Sequence, residues 1–377
     1  MKISYISYSI IPSKTANSIQ VMKMCQAFAK MGHKVELLAP RIKNSLETEV
    51  NDIYEYYNVR NCFEIKRLFH PKAFLFGPLL YLILILVMIN RSKPNIVYSR
   101  YIGGTFLAII CGYKTIFESH YPITYGKRIY GKIFDYCSKN PLFLQLIVIS
   151  KPLKNVYSKN SFIKSKIFVA ADGAEENKTI IPIKNWVGRQ NILQVGYVGH
   201  LYRGKGMEII ISISRFLHDI DFHIIGGFEN DIKYWETKEP SSNIHFHGFI
   251  NQSKIPSYLN IFDIVLLPNQ YHVSPHNVNF KTHNVNISEF TSPLKMFEYM
   301  AAKKAIISSD LPVLREVLNN NNSILVKPSD IKSWINAINL LRNKSLRDQL
   351  STCAYNDFID NYTWDLRVNN IFANVKI

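Results

Sequence analysis

Short apolar runs alternate along this chain with stretches of helical periodicity, and past residue 188 the alternation starts afresh. KISYISYSI reads as a strand. Ser18 to Met31 reads as a helix with apolar residues at Ile19, Met22, Phe28 and Ala29, and HKVELLAP reads as the next strand after the Gly32 stop. That is a βαβ unit. The runs NIVYSR, YKTIFESH, LIVIS and KIFVAADG continue it, in the rhythm of a parallel sheet covered by helices on both faces. QVGYVGHL then opens a second series: helix Met207 to Leu217, strands DFHIIGG and IHFHGFI, helix Ile255 to Phe262, strand IVLLP, helix Leu294 to Ala302 and strand AIISS. The expected fold class is α/β, with two Rossmann-like doubly wound domains over residues 1–172 and 173–360 and a terminal helix within 361–377. Ligands of such sheets bind outside the carboxyl ends of the strands, so a site in a central cleft between the domains is expected.

A length of 377 residues suits two cores, and the composition, 47% hydrophobic and 19% charged, is that of a folded protein. Cys25, Cys62, Cys111, Cys137 and Cys353 are odd in number, scattered and free of any C-x-x-C pairing, and they read as reduced core thiols of a cytoplasmic protein. In MKISYISYSI the apolar residues alternate with Ser and Tyr, which suits a strand rather than an export signal.

Charge is lopsided. To Asp172 there are 24 Lys and Arg against 9 Asp and Glu, and beyond it 21 against 19, so +15 of the net +17 lies in the first half. An electropositive domain fits nucleic acid, anionic lipid or a phosphorylated substrate, or serves solubility alone. Nucleic acid is disfavoured, because aromatic-basic RNA motifs and zinc spacing are both lacking. The uncharged run Ala73 to Ile89 is followed by Arg91 and Lys93. With Pro78 opening its helix, about a dozen residues span roughly 20 Å, short of the ~30 Å of a hydrocarbon core. It reads either as a helix buried all round or as one bedded in a single leaflet beside Lys66, Arg67 and Lys72, a peripheral contact with the membrane.

Two stretches carry chemistry. In TSPLKMFEYMAAKKAIISSDLP a helix begins around Pro293, and the free amides of its first turn suit a phosphate. Lys295 reinforces that site or faces water. Glu298, about a turn further in, can accept two hydrogen bonds from neighbouring hydroxyls such as those of a ribose. In GYVGHLYRGKGMEIII a strand ends at Val198-Gly199, and Arg203 and Lys205 follow in a glycine-punctuated loop, two cations able to stabilise a departing diphosphate without a metal. His272, His276 and His283 match no zinc spacing. Asp219-Ile220-Asp221 resembles a metal-binding D-x-D but falls at the amino end of its strand.

With FHIIGG, NIHFHGFI, FDIVLLP, SPLKMFEYMAAKKAIISSDLPVLREVL and YTWDLR, these motifs closely resemble the retaining nucleotide-sugar glycosyltransferases of family four (glycosyl transferases group 1), which have the GT-B fold. The match is good from about Gly196 to Arg367; before that it rests on layout and on SIQVMKMCQAFAKMGHKVELLAP, IVYSR, FESH and VISKPLK. The resemblance implies that Arg203 and Lys205 grip the donor diphosphate, that Glu298 holds the ribose, and that Gly199 and the backbone of Ser292, Pro293, Leu294 and Lys295 contact phosphate and sugar. It implies that His120, in FESH, faces the donor sugar near the reacting carbon, and that the helix opened by Tyr362-Thr363-Trp364 returns to the first domain. It also implies a nucleoside-diphosphate sugar, UDP- or GDP-linked, as co-substrate, no metal or other cofactor, and a glycan or lipid-linked acceptor such as those of lipopolysaccharide or capsule assembly. A nucleotide-sugar epimerase is the alternative within the fold, and a catalytically inactive scaffold or a basic nucleic-acid-binding protein the alternatives of another class. Two departures stand out. The first acid of the family's glutamate pair falls at Phe290, with Glu289 one residue out of register, and the glycine pair after the first strand is replaced by Ala16, Asn17 and Ser18.

Overall fold

The computed structural model describes residues 1–42, 49–71, 76–176, 180–184, 186–238, 240–273 and 286–375. The chain divides into two compact units, Met1–Asp172 with Trp364–Ile377, and Gly173–Thr363. Each is a parallel sheet flanked by helices.

In the first unit the strands are β1 (Lys2–Ile6), β2 (Lys34–Arg41), β3 (Glu64–Phe69), β4 (Ile96–Ser99), β5 (Thr115–Ser119), β6 (Phe143–Val148) and β7 (Ile167–Val169), in the order β3-β2-β1-β4-β5-β6-β7. Every pairing is parallel. Burial on both faces explains the unbroken apolar runs of the central strands. β3, EIKRLF, is the exception: as an edge strand it carries Glu64, Lys66 and Arg67, and Lys66 pairs with Glu36 of β2 at 2.8 Å. Sequence reading passed it over for that reason. The second unit holds β8 (Gln194–Val198), β9 (Asp221–Ile225), β10 (Ile244–Gly248), β11 (Ile264–Leu267), β12 (Ala305–Ser309) and β13 (Ile324–Val326), again all parallel, in the order β10-β9-β8-β11-β12-β13. The winding direction reverses between β8 and β11. Its core packs Val195, Tyr197, Phe222, Ile224 and Ile307 against Ile210, Ile213 and Trp334 of the covering helices.

Two expectations need correction. The helix within the apolar run spans Phe76–Ser92, so it begins before Pro78 and is longer than expected; residues 72–75 lie outside the described set. It is not buried all round. Gly77, Tyr81, Ile85 and Ile89 face the core, whereas Phe76, Leu79, Ile83 and Val87 are exposed. No described helix is long and apolar enough to cross a membrane. Among the cysteines, only Cys25 and Cys137 are buried; Cys111 and Cys353 are half-buried and Cys62 is exposed.

Candidate functional site

The carboxyl end of β8 is where the second sheet reverses, the position at which such sheets bind ligands. The chain turns there through Gly199 at φ +145, whose amide donates to the Ile225 carbonyl at 2.8 Å. The loop to the next helix, Met207–Ser214, is packed against the loop after β11. A Cβ on Gly204, at φ +87, would lie 2.2 Å from the His272 carbonyl oxygen, and one on Gly206, at φ +90, would lie 2.1 Å from that of Pro268. Positive φ and direct backbone contact together restrict both positions to glycine.

Lys295 enters this corner from the helix Leu294–Ala301. Its amine is buried 3.7 Å from the centre of the Tyr197 ring, 3.2 Å from where a Cβ on Gly199 would sit, and has no hydrogen-bond partner among the described residues. Burial pushes it well below the usual lysine range, the Lys205 charge adds to the effect, and Glu298 opposes it. The residue therefore does not face water. The same helix starts at Pro293 without a side-chain cap or an acid in its first turn. The amides of Leu294 and Lys295 consequently have no partner within the helix. Tyr299, one turn on, locks it to the sheet by accepting the Val198 amide at 2.8 Å. Glu298 is half-buried and accepts from Gln252 Nε2, a contact that sequence reading missed because nothing marks the NQS turn after β10 as part of a site.

Lys205, Lys295 and Glu298 thus converge on the end of β8. Arg203 is exposed and instead lines a groove with Tyr202, Glu208, Asp231 and Tyr234. Ser292, Pro293 and Leu294 are half-buried at the helix start. Phe290 is buried at 5% exposure while Glu289 is exposed on the preceding turn, which leaves the out-of-register acid pointing to solvent. Of the loop histidines, His276 and His283 fall outside the described residues.

His120 lies in the first unit, just past β5. Its Nε2 is 2.7 Å from Oε1 of Glu118. That carboxylate is buried and also accepts from Gln20 Nε2 at 2.7 Å, Tyr98 Oη, and Arg367 Nη2 at 2.9 Å. Burial pushes Glu118 up, but Arg367, His120 and Arg100 outweigh it and hold the carboxyl well below its ordinary value. Burial and the Arg100 charge push His120 down, against the pull of Asp172 and Glu118, so the ring is neutral at pH 7.

Among the described residues, two groups of side chains have metal-ligating composition with their ligand atoms within 4.8 Å: Glu118 with His120 and Asp172, and Asp221 with His223 and His245. In each an arginine already supplies positive charge. Arg367 is 2.9 Å from Glu118 and 3.9 Å from Asp172, while Arg189 binds Asp221 Oδ1 through Nε at 2.9 Å and Nη2 at 2.8 Å. Burial and neighbouring imidazoles push His223 of the second group down to about 3 and the adjoining His247 to about 4, so these two rings are uncharged near neutrality. Asp219 is held by both Nη atoms of Arg342, at 2.7 and 3.0 Å.

Residues 178–357 match the family model described as Glycosyl transferases group 1. No curated protein matches the chain by sequence. Among solved structures it is similar to HepE of Anabaena in complex with UDP and glucose, at 12% identity over 99% of each chain with a TM-score of 0.73. It is also similar to TarM from S. aureus in complex with fondaparinux, α-GlcNAc-glycerol and UDP, at 11% identity over 100% of each chain and a TM-score of 0.72. A third similar structure is the lipopolysaccharide outer core galactosyltransferase WaaB in its apo form, at 13% identity over 100% of each chain and a TM-score of 0.63. Likeness at these identities establishes the fold, two Rossmann-like parallel-sheet units of the GT-B class.

Proposed function

We propose that this chain is a retaining glycosyltransferase of family four that transfers a sugar from a nucleoside-diphosphate donor to a glycan or lipid-linked acceptor. The observation that carries this reading is the buried, unpartnered amine of Lys295 at the end of β8, beside the uncapped first turn of its own helix. An isolated buried cation is costly unless an anion arrives to meet it. A diphosphate fits: Lys205 and Lys295 take its charge, the amides of Leu294 and Lys295 its oxygens, and Glu298 the two ribose hydroxyls. Arg203, exposed two residues before Lys205, adds a further cation to the same phosphates. The family match over residues 178–357 and the UDP held by HepE and TarM support the donor class.

In the reaction the bond from the sugar's anomeric carbon to the β-phosphate oxygen breaks with its electron pair left on the diphosphate. An acceptor oxygen forms the new bond on the same face and its proton passes to that phosphate oxygen. Positive charge developing on the sugar and negative charge on the leaving group are stabilised by fixed cations and amides, so no carboxylate pair is required. His120 faces the sugar in this reading. The acceptor is an anionic or lipid-linked glycan presented at the cytoplasmic face of a membrane, in surface polysaccharide assembly; the +15 half of the chain and the exposed Phe76, Leu79, Ile83 and Val87 support it.

Thermal shift with UDP, GDP, ADP and their sugar conjugates tests the donor site. A nucleotide at a hundred times its Kd stabilises the native state by about 2.7 kcal/mol. We expect one base to do so, with Glu298→Ala and Lys205→Ala abolishing the shift, and product analysis to show a new glycoside rather than an epimerised donor. No shift with any of the three bases would end the proposal.

A further inference from the structure

Glu118 takes no part in the chemistry above, yet its buried carboxylate accepts four hydrogen bonds. One oxygen accepts from Gln20, His120 and Arg367, the other from Tyr98. Its position is fixed from every side: Gln20 belongs to the helix Ala16–Lys30, Tyr98 to β4, and Arg367 to the final helix, Trp364–Ala373. A carboxylate can only accept hydrogen bonds, so the proton between Glu118 and His120 sits on Nε2. In a neutral ring the lone pair is then on Nδ1, and no described residue donates to that atom. The ring is 18% exposed, enough to leave one edge accessible.

We infer that Glu118 is a positioning residue for the transfer: it fixes the tautomer and tilt of His120 so that Nδ1 accepts a hydrogen bond from a hydroxyl of the reacting sugar or acceptor. Arg367 is its counter-ion. Held at 2% side-chain exposure and anchored to the carbonyls of Ala171 at 2.8 Å and Ala170 at 3.2 Å, it keeps Glu118 ionised. The guanidinium thereby makes the last helix part of the site's machinery. This inference rests on the reading that His120 meets the sugar. The charged and titratable groups facing the ring are Glu118, Asp172, Arg100 and Arg367, with Tyr98 behind Glu118.

The test pairs spectroscopy with kinetics. Nitrogen NMR of isotope-labelled histidine in the full chain reports the tautomer whether or not turnover is measured. We expect His120 as the Nε2-H form in wild type and as a tautomer mixture in the Glu118→Gln/Arg367→Gln double variant, which removes both charges of that pair together. An Nδ1-H ring in wild type overturns the inference. In steady state we expect the double variant to lose about tenfold in kcat with the donor KM changed less than twofold, and its acid limb to move to lower pH because the carboxylate's pull on the imidazolium is gone. Unchanged kcat and pH profile in a folded double variant overturn the inference while the donor-site reading stands. Should that variant not fold, His120→Asn and His120→Gln decide. The Asn oxygen stands where Nδ1 stood and the Gln amide where Nε2 stood, so Asn retains more activity than Gln; the reverse order overturns the proposal. A His120→Ala variant as active as wild type sinks both the role of His120 and the inference built on it.

Discussion

Lys295 is a residue whose place in the fold is unfavourable. The amine is out of water, its companion is the face of Tyr197 rather than a carboxylate, and Lys205 lies near enough to depress its protonation. Cation–π attraction of about 1–2 kcal/mol offsets only part of the several kcal/mol lost on burying an ion. Lys295→Met keeps the stem and removes the charge. It should raise the chain's stability by about 1 kcal/mol or more and abolish the nucleotide-induced thermal shift. A variant that melts lower and still binds nucleotide would show that the amine serves the fold instead. The lysine's presence in the S-P-L-K turn was legible in the sequence, and so was its proximity to a helix start. Its burial was not, because it depends on the side chain turning under Gly199, a contact between residues 96 positions apart. Glu298 was likewise legible as an acid one turn in, while Gln252, which holds it, carried no motif.

At the scale of elements, the strand and helix rhythm was readable wherever one face or both were buried, and failed where neither rule applied. β3 mixes charged with apolar residues as an edge strand does, and β13 is three residues long. The helix Phe76–Ser92 failed differently. With apolar residues on every side, periodicity could not say which stripe packs, and Tyr81, Ile85 and Ile89 turned out to face the core. Tyr81 settles the orientation by donating to the carbonyl oxygens of Ser7 and Leu38. The opposite stripe, Phe76 at 63%, Leu79 at 57% and Ile83 at 48% exposure, has more apolar surface than a solvated helix needs. Arg91 and Lys93 follow at its end, both exposed, giving the apolar-plus-basic combination that beds into an anionic leaflet. Replacing Leu79 and Ile83 together by Glu should leave the stability within about 0.5 kcal/mol per site, since neither side chain enters the core. Co-sedimentation with vesicles containing anionic lipid should fall by about tenfold or more, as two apolar contacts are replaced by charges that repel the surface. Equal sedimentation of variant and wild type would remove the membrane from the proposed function.

The whole chain is two units with separate cores, and the last helix belongs with the first of them. Phe372 packs on Phe28 at 5.3 Å between ring centres, and Arg367 reaches Met24, Glu118, Ala170 and Ala171. Glu118 and Arg367 are 249 positions apart, so no local pattern announced this pair; only the resemblance placed the terminal helix on the first domain. Arg367→Met would leave the Glu118 carboxylate buried with hydrogen bonds but without the cation that contacts it. Breaking a buried pair from one side costs about 3–5 kcal/mol. In calorimetry the transition of the first unit should therefore drop by about 10 °C, while that of the second, identified by its shift with nucleotide, stays in place. The pH dependence has a definite sign. The folded carboxyl of Glu118 is held below its unfolded value near ~4.3, so its contribution is complete above that pH and is lost as pH falls through the folded value. The wild-type first unit should accordingly lose stability on acidification below about pH 4.3 more steeply than the Glu118→Gln/Arg367→Gln protein, which has no such carboxylate to protonate. Parallel acid curves for the two proteins, or an Arg367→Met transition that drags both units down together, would mean that the ion pair does not hold the terminal helix to the first core in the way its geometry requires.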